Sequence, residues 1–326
     1  MSRELSLAEI FQLGYYWETK ILLTAVKLDV FSALEGKPRT VVKVANRVAA
    51  NPSSLELLMN ALVAMRALRK AEDRYENTDV TRTHLVRSAP NYVGHLLLLH
   101  DAEWSNWGRL EDAIRSGQSP AHRHVFETNP ELGVSVLQVL DRIGQQSGPA
   151  FAKALKLEGA ATLLDLGGGA GTNAIAFCTV YPQLRATVFD LAQTLAMTAR
   201  AIKDVGMESR INLLPGDFNA DTLGGPYDVI LMSDVLHYQD LVNNAALVQK
   251  AFHHLNRGGQ LVIKDRFLDE TRTSPAWVTA FAVHISVNTE RGKCYTVSEA
   301  MAWMKDSGFT SVDEVERTAV VRGIKA

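Results

Sequence analysis

From residue 160 onward, short apolar runs alternate with longer stretches in which apolar residues recur every three or four positions. The runs Thr162–Leu166, Ala186–Phe189, Ile211–Leu214, Asp228–Met232 and Gln260–Lys264 are mostly apolar, as strands buried on both faces must be. Strand and helix in alternation predict an α/β fold with a doubly wound parallel sheet. Two further runs, Val312–Glu316 and Val320–Ile324, are joined too tightly for a helical crossover and are expected to pair antiparallel.

The first hundred residues are patterned differently. Between residues 5 and 35, Leu7, Ile10, Phe11, Tyr15, Ile21, Leu22, Ala25, Leu28 and Phe31 fall at helical spacing, and Tyr15, Tyr16 and Trp17 are adjacent. A helix with apolar groups on more than one face buries itself against a partner chain or a second layer. Asn51 and Pro52 open a further helix over Leu55–Leu68, with proline where its missing N–H costs nothing. Arg69–Thr78 reads as a hairpin, and three helices with a hairpin predict a winged helix. Residues 91–150 read as connecting helices, with His100, Trp104 and Trp107 in a segment of helical spacing over Leu96–Ile114. Gly117–Pro120 is expected as a flexible join and Gly144–Pro149 as the entry to the next domain. The expected division is 1–100, 101–150 and 151–326.

Composition narrows the function. A chain of 326 residues, 47% apolar and 21% charged, is globular and long enough for two domains. A net charge of -2 gives no general attraction to nucleic acid or to a membrane surface. Residues 1–100 hold 13 Lys/Arg against 10 Asp/Glu, and helix Leu55–Leu68 offers only Arg66 as a reading cation. The winged helix therefore reads as a dimerisation module, not a DNA reader. Cys178 and Cys294 are too few for a disulfide framework and lack metal-ligand spacing. His122 and His124 share a Ser/Pro/Arg-rich loop without a third ligand. No leader opens the chain and no apolar run approaches a membrane span, so the expected location is cytoplasmic.

Ligands of open parallel sheets collect at the carboxyl ends of the strands, which makes those ends the place to look. The first ends in Asp165, followed by Gly167, Gly168, Gly169 and Gly171, a turn that lets a ligand lie against the backbone and the next helix N-terminus. The spacing is not the dinucleotide G-x-G-x-x-G, because Thr172 stands at the third position. The second strand ends in Asp190, 19 residues beyond Gly171 and followed by Leu191, where a carboxylate can accept from ribose hydroxyls. The third runs into Gly216, Asp217 and Phe218, an acceptor for an adenine amino group beside a ring that can stack on it. The fourth leads through Ser233 to His237, a candidate general base, and the fifth ends beside Asp265, a candidate orienting anion.

The pattern Asp-x-Gly-x-Gly-x-Gly over Asp165–Gly171 resembles motif I of the class I S-adenosylmethionine-dependent methyltransferases, and Gly216–Phe218 resembles their third motif. Leu23–Leu34 and Val44–Val48 are similar to the N-terminal module of plant-type and bacterial small-molecule O-methyltransferases, and Asp306–Phe309 to the helix end before that family's last hairpin. The resemblance covers essentially the whole chain. It implies a Rossmann-like seven-stranded methyltransferase sheet, preceded by a mainly α-helical winged-helix dimerisation domain, and a homodimer. S-adenosyl-L-methionine would be held by Asp165, Gly167, Gly169, Gly171, Asp190, Leu191, Gly216, Asp217, Phe218 and Ser233. His237 would be the base and Asp265 its partner; His100, Trp104, Trp277, Phe281, His284, Asn288 and Cys294 would line the pocket of a small, aromatic acceptor; no metal is implied.

Three features depart from the family pattern. Tyr238 and Gln239 follow the histidine where Asp-Trp is common, no lysine stands between Ser233 and Asp240, and Cys294 occupies the place of a second acid. Methylation of nitrogen or carbon, a non-methylating use of the cofactor, and a ligand-sensing regulator are the alternatives.

Overall fold

The computed structural model describes residues 4–121 and 128–326, so His122 and His124 lie outside the described residues. The chain forms two compact units, one ending at Trp104 and one beginning at Ser105.

In the first unit the apolar stretch over 5–35 is three helices rather than one: α1 (Leu7–Leu13), α2 (Trp17–Lys27) and α3 (Val30–Ala33). The chain leaves α1 at Gly14, and Asp29 takes a φ of 61°, a left-handed conformation through which no helix continues. Helix α1, closed by a capping box between Ser6 and Glu9, buries no residue. Leu7, Ile10, Phe11, Leu13, Tyr15, Tyr16 and Trp17 are all exposed. Behind them, Ala25, Val26, Val30 and Phe31 form a core with Val44 and Ala45 of α4 (Val41–Val48) and Leu55, Met59 and Leu62 of α5 (Pro52–Ala64). Asn51 caps α5 by accepting from the Ser54 N–H, with Pro52 in the first turn. The helix stops at Ala64, short of the expected Leu68: Arg66 is left-handed (φ 62°) and Leu68 has joined the hairpin. Strands β1 (Arg39–Thr40), β2 (Leu68–Ala71) and β3 (Arg74–Asn77) make an antiparallel sheet in the order β1-β3-β2. Helices α6 (Asp79–His84) and α7 (Gly94–Ala102) complete the unit.

The segment of helical spacing over Leu96–Ile114 is α7 followed by α8 (Trp104–Trp107) and α9 (Leu110–Ser116). Then comes α10 (Pro130–Ala154); Gly144–Pro149, expected as the entry to the next domain, lies inside this helix, with Gly148 buried. The sheet follows as β4 (Thr162–Leu166), α11 (Thr172–Val180), β5 (Arg185–Asp190), α12 (Ala192–Asp204), β6 (Ile211–Pro215), β7 (Tyr227–Ser233), α13 (Leu241–His253), β8 (Leu255–Lys264), α14 (Ala276–Asn288), α15 (Val297–Ser307), β9 (Ser311–Glu316) and β10 (Val320–Ile324). Every strand run read from the pattern lies within an observed strand.

The strand order is β6-β5-β4-β7-β8-β10-β9; the first five are parallel and β10 is antiparallel to both its neighbours. Alternation along the strands builds a core on each face. Leu164, Ile230, Met232, Leu261 and Ile263 face one; Leu163, Val229, Leu231 and Val262 face the other. Such a sheet leaves the carboxyl ends of β4 through β8 as its open edge. No helix of the described residues is long and apolar enough to cross a membrane.

Candidate active site

The glycine turn after β4 is folded directly onto the strand ends. Gly167 has a φ of 67° and a Cβ there would lie 2.8 Å from a Val235 methyl; at Gly168 it would lie 2.8 Å from the Asp165 carboxyl carbon. At Gly169, by contrast, nothing lies within 4 Å of a Cβ. The turn is thus packed below and open above. Asp190 braces it from β5: one carboxylate oxygen accepts from the Gly169 N–H (2.8 Å), the other from the Leu191 N–H (2.7 Å). Thr198, fully buried and unsignalled in the sequence, donates its hydroxyl to the Gly169 carbonyl (2.6 Å).

Beneath the turn, Asp165 is buried; one oxygen accepts from the Ala174 N–H (3.0 Å) and the other has no partner among the described residues. Burial pushes its carboxyl up to about 7, partly opposed by the Ala174 N–H. After β6, Gly216 donates its N–H to the Asp190 carbonyl, Asp217 accepts from the Asn219 N–H, and the Phe218 ring borders Gly167. Leu191 is an exposed apolar side chain on the same rim, and Ser233 donates to Asp234 (3.0 Å). These residues fit an adenosyl ligand. The backbone is bare at Gly169, carboxylates stand at the ends of β5 and β6, a ring lies beside the turn, and a buried oxygen is unpartnered. Sequence reasoning named each of these but Thr198.

The ends of β7 and β8 carry a second cluster. His237 sits in a 3₁₀ turn (Leu236–Tyr238) that precedes α13 rather than heading it. Its Nδ1 lies 2.7 Å from Asp265, and both side chains are buried. Asp265 also accepts from the backbone N–H groups of Leu236 (3.0 Å) and Arg266 (2.7 Å). Burial alone would raise this carboxyl; the charge and hydrogen bond of His237, with help from Arg266, more than offset it and hold Asp265 below the ordinary carboxylate range. The turn is fixed by groups the sequence did not single out. Asn244 donates to the Leu236 carbonyl (3.0 Å), Tyr295 to the Gln239 carbonyl (2.6 Å), and a side chain at Gly292 would strike the His237 carbonyl. Cys294 lies in a small apolar cluster with Leu268 and Val278; burial, then the Asp265 charge, pushes its thiol up to about 12. It cannot replace a second acid.

On α14 the side chains expected to line the acceptor pocket form a ladder of rings. Trp277 stacks on Phe281 (5.2 Å, 11° between planes), Phe281 stacks on His284 (5.9 Å), and Phe281 meets His237 edge-on (5.2 Å). The Arg266 guanidinium, paired with Asp234, lies 5.0 Å from Phe281 and 5.5 Å from Trp277. Asn288, at the buried end, receives a hydrogen bond from Asn106 (2.9 Å), and Trp107 donates to His284 (3.4 Å). Asp234, His237 and Asp265 bring ligand atoms within 4.8 Å of one another, but Arg266 and the histidine already pair the two carboxylates. His100 and Trp104 belong to the first unit, His100 beside Glu103 (3.6 Å) and Trp104 beneath the Lys20 ammonium (4.6 Å).

Residues 107–310 match the model of an O-methyltransferase domain, and residues 11–87 that of an O-methyltransferase dimerisation domain. The tetracenomycin polyketide synthesis 8-O-methyl transferase of Streptomyces glaucescens is 32% identical over 94% of this chain and 91% of its own. A 3-hydroxy-5-methyl-1-naphthoate 3-O-methyltransferase from Streptomyces sahachiroi is 29% identical over 95% and 92%. An N,N-dimethyltransferase from Streptomyces rimosus is 28% identical over 93% and 90%. In fold, the chain resembles an O-methyltransferase family protein from Burkholderia thailandensis, with a TM-score of 0.88 over 99% of both chains at 24% identity.

Proposed function

The chain belongs to the S-adenosylmethionine-dependent O-methyltransferase family, and from that premise we propose that it methylates a hydroxyl of a small aromatic acceptor, with His237 as the base. The observation that carries this is the buried His237–Asp265 pair at the carboxyl ends of β7 and β8. Asp265, held ionised, accepts from Nδ1–H and leaves Nε2 as the basic nitrogen. When bound, the cofactor supplies a methyl group already activated by its sulfonium charge, so no Lewis acid enters the reading.

Three tasks fall to the chain's own residues. Asp190 accepts from the ribose hydroxyls, while Asp217 and Phe218 hold the adenine beside the glycine turn, whose backbone is bare at Gly169. The ladder Trp277–Phe281–His284 offers flat faces to a flat acceptor, in keeping with the polyketide and naphthoate named for two relatives. His237 takes the acceptor's proton, a contribution of roughly 10²- to 10⁴-fold, and Asp265 orients the ring and stabilises the imidazolium that forms. The exposed apolar run Phe11–Trp17, inside the segment that matches a dimerisation domain, supports a homodimer. Two buried free cysteines ask for no oxidising compartment, which supports a cytoplasmic setting.

The N,N-dimethylating relative favours one second reading, an amine acceptor whose ammonium proton goes to the same base. Labelled methyl donor offered with matched phenols and aryl amines decides between them. Methyl transfer to phenols that His237→Gln abolishes supports the first reading; transfer to amines alone supports the second.

A further inference from the structure

Lys264 places a cation beside the glycine turn that, among the described residues, makes no ion pair. It is the last residue of β8 and pairs in register with Ser233 at the end of β7. Leu163, Val229, Leu231 and Val262 face one core, so the two-residue period of a strand puts Asp165, Ser233 and Lys264 on that same face. The Lys264 ammonium lies 5.0 Å from the centre of the Phe151 ring on α10. Phe151 in turn packs edge-on against Phe177 of α11, the helix that leaves the glycine turn (5.6 Å). The ammonium therefore sits between the sheet edge and α10, near enough to the turn that its charge lowers the titration of Asp165.

Among the described residues this ammonium has neither a carboxylate at ion-pair distance nor a hydrogen-bond acceptor. Asp165, whose titration it lowers, is beyond ion-pair distance and accepts from the Ala174 N–H through one oxygen; other carboxylates of the site are committed elsewhere. Asp234 pairs with Arg266 and Asp265 with His237; Asp141 accepts from Thr172 and Gln145; Asp190 accepts from the Gly169 and Leu191 backbone. A half-buried ammonium with only a ring face for company is poorly compensated, and an arriving carboxylate restores a charge-assisted bond.

We propose that Lys264 is the counter-ion for the α-carboxylate of the cofactor's amino-acid end. The inference rests on the S-adenosylmethionine reading of the glycine turn. It supplies a cation that the segment from Ser233 to Asp240 lacks, brought in at the same level of the sheet by the neighbouring strand. A carboxylate on the acceptor is the other anion that could fill the place.

Calorimetry separates them with S-adenosylhomocysteine, its α-carboxamide and 5′-methylthioadenosine, which lacks the amino-acid end. The parent should bind the acid roughly 10- to 100-fold more tightly than the amide. Lys264→Met should bind acid and amide alike, at the weaker affinity, with methylthioadenosine unchanged; Lys264→Arg should keep most of the preference. Equal binding of acid and amide by the parent overturns the proposal without any variant, and so holds even if Lys264→Met fails to fold. A Lys264→Met protein that keeps the full preference, or that changes only the acceptor KM, overturns it too. A parent that binds none of the three ligands counts instead against the cofactor reading.

Discussion

Asp165 and Asp265 both lie at the carboxyl end of a parallel strand, both are buried, and they titrate in opposite directions. Asp165 has one backbone N–H and an oxygen unpartnered among the described residues, and burial wins: its carboxyl stands at about 7. Asp265 has two backbone N–H groups, the His237 ring at 2.7 Å and the Arg266 charge, and its carboxyl stands below the ordinary range. Depth is the same; partners decide the sign. The first aspartate props the glycine turn, whereas the second keeps a charge next to the His237 ring, the proposed base.

The largest change should come from removing the partner that makes Asp265 unlike Asp165. The parent's Asp265 has a folded value below its unfolded value of about 3.9, so its stabilisation is full above that pH and is lost as pH falls through the depressed value. With His237→Gln, burial dominates and the folded value rises above the unfolded one. The contribution then changes sign, and the protein loses stability as pH rises. Melting temperature against pH should show that inversion, with about 3–5 kcal/mol lost at neutral pH and methyl transfer down about 10²- to 10⁴-fold. A variant whose melting profile parallels the parent's would mean that the backbone N–H groups alone hold Asp265 ionised.

A second change works on Asp165. Its folded value lies above its unfolded one, so the unfolded chain gives up the proton first and parental stability falls from about pH 4 to about pH 7. Asp165→Asn removes the titration and should gain on the parent by on the order of 3 kcal/mol between pH 5 and pH 8. Parallel melting curves would show that a ligand or water already satisfies the unpartnered oxygen.

The contrast also explains what the sequence made legible. The proposed cofactor side is built from local chain: a strand end, a turn and a helix start within Asp165–Thr172, then further strand ends at Asp190 and at Gly216–Phe218, so local spacing points to it. The proposed base and its wall are assembled across long separations: His237 with Asp265, Asn106 with Asn288, Gly292 against the His237 carbonyl. No periodicity records such meetings. The pair was reachable because both residues follow the ends of adjacent strands, whereas nothing in the pattern assigned Asn244 or Tyr295 to the His237 turn. The breaks at Gly14 and Asp29 were missed for a related reason: apolar spacing runs on across a left-handed residue that only the folded core requires.

Asp190 tests the cofactor side more gently, since it touches the turn through the backbone and leaves Asp165 in place. Asp190→Ala removes the acceptor for the Gly169 N–H and the proposed acceptor for the ribose. S-adenosylhomocysteine binding should weaken about 10- to 100-fold, with the acid limb of the melting profile that belongs to Asp265 unmoved. Unchanged affinity by calorimetry would take Asp190 out of the ligand's reach.

The smallest expected effect is that of Arg266→Gln. Among the groups that keep Asp265 ionised, the Arg266 charge ranks after the histidine and after its own backbone N–H, which the substitution preserves. The guanidinium is also partly exposed and already committed to Asp234, so solvent and that carboxylate screen what it offers Asp265. The acid limb of the melting profile should therefore move up slightly, in the same direction as in His237→Gln but by much less, and no inversion should follow. Losing the cation over Phe281 and Trp277 should add at most about 1 kcal/mol. Parent, Arg266→Gln and His237→Gln thus form an ordered series in one measurement. If Arg266→Gln moved the limb further than His237→Gln, the charge at Asp265 would be held by the arginine. His237 would then be a neighbour of that carboxylate rather than its partner, and its Nε2 would lose the claim to be the base.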